Sequence, residues 1–171
     1  MKIFVDTREK NAWDFFPHEK SVKEKLAYGD YTTEALKDIC RIERKASTQE
    51  IYLNLGRTKN KERFYRELDK LSKLPHPYII CEFPESYLSI FPENSTIPKF
   101  RRPSKREIEA GMSKYEKINS WGELRINGLR LTHLINDVNS IVPVIYCNNK
   151  KDAQLCALKI FKDLEAQYGC T

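Results

Sequence analysis

A chain of 171 residues is long enough to bury one sizeable core without disulfide or metal staples. Thirty Lys and Arg against 24 Asp and Glu give a net charge of +6 and an isoelectric point near 9.0, which favours an anionic partner, nucleic acid ahead of an anionic membrane. Five cysteines without a C-x-x-C pair, three scattered histidines and only six glycines argue against a disulfide scaffold, a structural zinc site and a glycine-rich nucleotide loop.

Lys2 to Val5 reads as a short strand ended by Asp6, with Thr7, Arg8 and Glu9 behind it. This apolar run is too short for a signal peptide, and no segment approaches a membrane span, so the expectation is a soluble protein, cytoplasmic or, in a cell with a nucleus, nuclear. Val22 and Leu26 suggest a brief helix before Gly29. Tyr31 to Leu36 and Ile39 to Lys45 read as two strands of a hairpin turning at Lys37 and Asp38.

Ser47 or Thr48 can cap a helix through Ile51, Leu53 and Leu55 that stops at Gly56. Phe64, Leu68 and Leu71 mark the buried face of a second helix, ending before Pro75. Tyr78 to Phe83 has the continuous apolar character of a buried strand. Residues 84 to 106 carry four prolines and a basic cluster and read as a loop or insertion. Ser104 to Lys117 reads as a capped polar helix, and Ser120 to Val138 as one or two more with a break at Asn127-Gly128. Ile141 to Cys147 is a last strand, placed near an edge by Pro143. Lys151 to Tyr168 is an amphipathic helix. The alternation of strands and helices predicts a single three-layer α/β domain with a mixed central sheet.

Glu43-Arg44-Lys45 is the sole acid-x-lysine triplet in the chain, and it lies at a strand end behind Gly29-Asp30. Residues two apart on a strand share a face, so Glu43 and Lys45 can address one phosphate while Arg44 points away. Phosphodiester hydrolysis needs a nucleophile at neutral pH and neutralisation of the transition-state charge. Divalent metals supply both, and hard cations such as Mg²⁺ or Mn²⁺ take carboxylate oxygens while keeping several waters. Asp30 and Glu43 fit that requirement, and Lys45 adds a fixed cation.

Val5-Asp6-Thr7-Arg8-Glu9, then Tyr28-Gly29-Asp30-Tyr31, then Ile42-Glu43-Arg44-Lys45, in that order, resemble the motifs of XPF-type nuclease domains, within the restriction-endonuclease-like group. The resemblance covers most of the chain, and residues 95 to 135 fit it least, as a helical or loop insertion. It implies a restriction-endonuclease-like fold and metal-dependent cleavage of DNA, structure-specific for branched, flap or fork substrates. It also implies that Asp30, Glu43 and Asp6 bind the metal, that Lys45 and Arg44 stand beside the scissile phosphate, and that Arg8 completes the first motif. Where the family has an aspartate four residues beyond the lysine, this chain has Gln49, followed by Glu50. Either Glu50 substitutes from a slightly turned helix start, or Gln49 holds a metal-bound water. A catalytically inactive nuclease fold that binds DNA or a partner is the alternative. No helix-hairpin-helix module of the kind the family often appends is present in the 171 residues, so the expected arrangement is a stand-alone nuclease, a homodimer, or a domain working with a separate DNA-binding protein.

Two basic clusters are candidate DNA contacts: Arg57, Lys59, Lys61, Arg63 and Arg66, and then Lys99, Arg101, Arg102, Lys105 and Arg106. Such cations give affinity and position rather than sequence specificity. Trp13, Phe15 and Phe16 close the core or stack on an exposed base, the core being favoured.

Overall fold

A computed structural model describes residues 1–169. The elements in chain order are β1 (Lys2–Asp6), β2 (Lys20–Glu24), β3 (Tyr31–Thr33), β4 (Cys40–Lys45), α1 (Thr48–Leu55), α2 (Thr58–Leu71), β5 (His76–Cys81), α3 (Ser86–Ser89), β6 (Phe100–Arg101), α4 (Lys105–Glu109), β7 (Ile118–Asn119), α5 (Gly128–Asn139), β8 (Val144–Tyr146) and α6 (Lys150–Gln167). The described residues form a six-stranded sheet in the order β2-β1-β3-β4-β5-β8, and β6 pairs with β7 as a separate ribbon. The pairs β1·β3 and β3·β4 are antiparallel, whereas β1·β2, β4·β5 and β5·β8 are parallel, so the sheet is mixed as the sequence suggested.

Strand alternation divides the core into two layers. Ile79 and Cys81 of β5 point to the α1, α2 and α5 side, where Ile51, Leu55, Phe64, Leu68, Leu131 and Ile135 are buried. Ile80 and Ile42 point to the other side, against Ala157, Phe161 and Leu164 of α6 together with Trp13, Phe15 and Tyr31. Burying each large apolar side chain contributes roughly 1.5–3 kcal/mol, which is why α6, unpaired in sequence, docks on this face. Trp13 stacks on Tyr31 with ring centroids 4.3 Å apart, so Trp13 and Phe15 belong to the core, whereas Phe16 is exposed.

Several elements depart from the sequence reading. The brief helix expected around Val22 is β2, a strand parallel to β1 in the register Lys2↔Lys20 to Asp6↔Glu24. Val22 and Leu26 fit helical spacing, but a free edge of β1 offers backbone partners that an isolated turn of helix lacks. The helix expected over 104 to 117 shrinks to α4, which has a complete Ser104/Glu107 capping box but buries no side chain. Asn127-Gly128 starts a helix rather than breaking one: Asn127 caps α5, and Gly128 lies so close to α3 that a Cβ would stand 2.1 Å from Ser89 O.

Cys40, Cys81, Cys147 and Cys156 form no disulfide, and Cys170 lies outside the described residues. Among the described residues, no helix is long and apolar enough to cross a membrane.

Candidate active site

Backbone geometry places Asp30 first. Gly29 sits at φ 68°, in the left-handed region that side chains disfavour, and a Cβ there would come within 3.3 Å of Arg41 Cβ. Beyond this turn the Asp30 N–H donates to Ile42 O at 2.8 Å, and Asp30 O accepts the Asp6 N–H at 2.8 Å. The Arg44 backbone N–H then donates to Asp30 Oδ2 at 2.8 Å, which aims the carboxylate along β4.

Glu43 and Lys45 lie on the α1/α2 face of β4. Lys45 Nζ donates to Glu43 Oε1 at 2.8 Å and to Glu50 Oε1 at 3.4 Å, and it stands 4.8 Å from the centroid of the Phe64 ring. Burial works against the Lys45 ammonium, yet Glu43 and Glu50 outweigh it and raise its pKa, so a buried lysine keeps its charge. Burial and then the charge of Glu43 push the Asp30 carboxyl well above the ordinary range, against the opposing pull of Lys45 and the Arg44 N–H. A cation bound beside Asp30 and Glu43 would relieve that repulsion.

Glu43 and Lys45 open into a cavity of about 450 Å³ whose walls also include Arg8, Glu50, Arg63 and Glu67, whereas Asp30 is not among its walls. A larger cavity of about 710 Å³ lies around the beginning of β1, but its acids are already partnered. Glu19 pairs with the Met1 ammonium and Lys162, Glu34 pairs with Lys2, and Glu165 accepts from Thr33. Glu43 and Lys45, singled out from the sequence, line the smaller one.

Asp6 and Arg44 are oriented otherwise than the motif suggests. Asp6 Oδ1 accepts from Arg8 N and Nε, and Oδ2 accepts from Arg8 Nη2 and Leu26 N, all between 2.7 and 3.0 Å. Its oxygens are committed to protein donors, and Arg8 is held at the cavity wall by the same fork. The Arg44 side chain lies on the α6 face of β4, opposite Glu43 and Lys45, where it grips Glu82 with two bonds of 2.6 and 3.0 Å and Glu9 with one of 3.1 Å. Trp13 Nε1 also donates to Glu82 at 2.6 Å.

Gln49 turns away from the carboxylates: its Oε1 accepts from both the backbone N–H and the hydroxyl of Thr96. Glu50 instead faces the site, with Oε2 accepting the Ala46 N–H at 2.9 Å while Oε1 meets Lys45. Of the first basic cluster, which lies at the start of and along α2, Arg63 reaches the cavity; Arg57, Lys59, Lys61 and Arg66 lie outside its walls, and Arg57 lines a separate hollow with Arg125. In the second cluster, Arg101 is bound by Glu107 and Glu123 at 2.7 Å each, whereas Lys99, Arg102, Lys105 and Arg106 are exposed. Glu67 and Glu82 escaped the sequence reading. Glu67 lies one helical turn after Arg63, and Glu82 is the first charged residue after the buried strand β5, signals too common to single them out.

Among the described residues, no group of three or more His, Cys, Asp or Glu side chains converges into a ready metal cage. The Asp30–Glu43 pair nonetheless fits a hard divalent cation, which takes two carboxylate oxygens and leaves its other positions to water and phosphate.

No protein-family model and no curated protein sequence matches the chain. Among solved structures, XPF from Aeropyrum pernix matches with a TM-score of 0.57 at 15% identity, over 95% of this chain and 64% of that one. XPF from Aeropyrum pernix in complex with DNA matches with a TM-score of 0.54 at 15% identity, over 97% of this chain and 65% of that one. This chain thus spans slightly less than two thirds of the length of those it matches. The likeness establishes a shared fold: the mixed six-stranded sheet with flanking helices is an architecture this chain has in common with XPF from Aeropyrum pernix.

Proposed function

We propose that this chain is a Mg²⁺- or Mn²⁺-dependent endonuclease that hydrolyses phosphodiester bonds of DNA, with branched, flap or fork DNA as substrate. One observation carries the reading: Glu43 and the buried, charged Lys45, bonded at 2.8 Å, line an open cavity, and the Asp30 carboxylate is near enough for the charge of Glu43 to raise its pKa. The nuclease fold shared with XPF, a protein captured with DNA, and the net charge of +6 support DNA as the partner.

Asp30 and Glu43 would hold the ion, which when bound supplies a water of lowered pKa and screens the phosphate. Lys45, clamped between Glu43 and Glu50, presents its charge to the phosphate oxygen on which negative charge develops. Glu50 keeps the lysine from swinging away, the position that Gln49 has given up by binding Thr96. Arg8 and Arg63, on the cavity wall, receive the flanking phosphates. Asp6 acts through Arg8, and Arg44 acts through its backbone N–H on Asp30, so both position the site rather than touch substrate. A homodimer or a separate DNA-binding protein would extend the contact beyond this domain.

A second reading, a nuclease fold that binds DNA without cutting it, draws on Gln49. Digestion of labelled flap, fork, single-stranded, blunt-duplex and RNA substrates, with Mg²⁺, Mn²⁺ or EDTA, separates the two. Metal-dependent cutting that favours flaps or forks supports the proposal. Preference for a perfect duplex overturns structure specificity, and DNA binding without cutting in either metal supports the second reading.

A further inference from the structure

The insertion between β5 and α5 contains a cavity of its own, about 300 Å³, lined by Phe100, Arg101, Arg102, Tyr115, Glu116 and Lys117. We propose that it is a subsite for an unpaired nucleotide of single-stranded DNA. This deepens the DNA-nuclease reading by naming the feature of a branched substrate that this chain recognises away from its carboxylates.

The two aromatic rings lining it are unusually open, with Phe100 49% and Tyr115 75% exposed. Rings left in water beside cations suit stacking with the flat face of a base, which duplex DNA hides and a single strand presents. Arg102 and Lys117 share the cavity, and Lys99 and Lys114 lie 5.7 and 4.9 Å from the Phe100 and Tyr115 ring centroids, so phosphate-binding charge surrounds the aromatic floor. The one acid lining it, Glu116, offers an acceptor to base N–H groups.

The frame is built to hold its shape. Arg101 bridges Glu107 and Glu123, Ser104 and Glu107 close the capping box of α4, β6 pairs with β7, and Trp121 Nε1 donates to Ile97 O at 2.9 Å. Arg101 is therefore a brace whose charge is spent internally. The insertion is also tied to the helix that follows the catalytic strand through the Gln49–Thr96 bond.

The test is fluorescence anisotropy in EDTA, with a labelled mixed-sequence single-stranded oligonucleotide and a blunt duplex as probes, on wild type, the double variant Phe100→Ala/Tyr115→Ala, and the aromatic-preserving Phe100→Tyr/Tyr115→Phe. Without metal, cleavage competence does not enter the readout. The expected result is a single-strand affinity about tenfold or more weaker in the alanine variant, duplex binding unchanged, and restoration in the aromatic variant. Wild type that fails to bind the single strand, an alanine variant that binds it undiminished, or equal loss on both DNAs overturns the subsite. Ring-dependent single-strand binding in a chain that never cuts DNA would sustain the subsite while defeating the catalytic proposal.

Discussion

At the residue scale, the two ends of Arg44 have separate jobs. Its N–H aims Asp30, while its guanidinium is buried on the opposite face against Glu82 and Glu9, with Arg44 and Glu82 each 8% exposed. Glu82→Leu leaves that guanidinium short of its main partner, and unfolding in urea should show a loss on the order of 3 kcal/mol. A loss of cleavage with stability intact would instead put Arg44 at the phosphate. Asp6 makes a pH-dependent prediction. Burial raises its pKa, and the hydrogen bonds and charge of Arg8 more than reverse this, leaving it below 3.8. A carboxyl depressed by folding stabilises above its unfolded pKa and loses that contribution as pH falls through the folded value. Asp6→Asn should therefore be less stable than wild type at neutral pH, and the gap in melting temperature should narrow below about pH 4. A gap independent of pH would remove the Arg8 pairing as its cause. Asp30, Glu43 and Lys45 were legible in the sequence because their spacing is local to one turn and one strand. Glu82 was not, because its pairing with Arg44 depends on the parallel register of β4 and β5 rather than on spacing along the chain.

At the element scale, the turn before Asp30 is the most constrained piece of backbone in the site. Gly29→Ala must place a side chain at φ 68° and 3.3 Å from Arg41 Cβ, for a cost of about 1–2 kcal/mol. Because the same turn feeds Asp30, divalent-ion affinity measured by calorimetry should fall together with stability. Retained affinity would mean that Asp30 is positioned by Arg44 N–H alone. The helices α1, α2 and α6 were readable from apolar spacing, and α1 also from its cap, with Ser47 accepting from the third residue of the helix. The strand β2 was misread because its choice depends on a partner strand. The helix expected over 104 to 117 was drawn too long because the order of the insertion comes from ion pairs and a short ribbon, with no hydrophobic period to announce them.

At the scale of the whole molecule, the excess charge has a place. Lys99, Arg102 and Arg106 are exposed on the insertion, while Arg101 is internally neutralised. Removing the first three together should flatten the dependence of log affinity on log salt by up to about three. Arg101→Ala should leave that slope nearly unchanged and lower the melting temperature instead. An unchanged slope in the triple variant would show that this face does not meet phosphate.

The central claim is that Asp30, Glu43 and Lys45 form a metal-dependent phosphodiesterase centre, and the most direct measurement compares wild type with Lys45→Ala on end-labelled flap DNA, with binding followed in parallel. Wild type should cut with Mg²⁺ or Mn²⁺ and not in EDTA, while Lys45→Ala should bind the same DNA and cut at least about a hundredfold more slowly. Equal rates for the two proteins, or equal inertness while both bind, would contradict it.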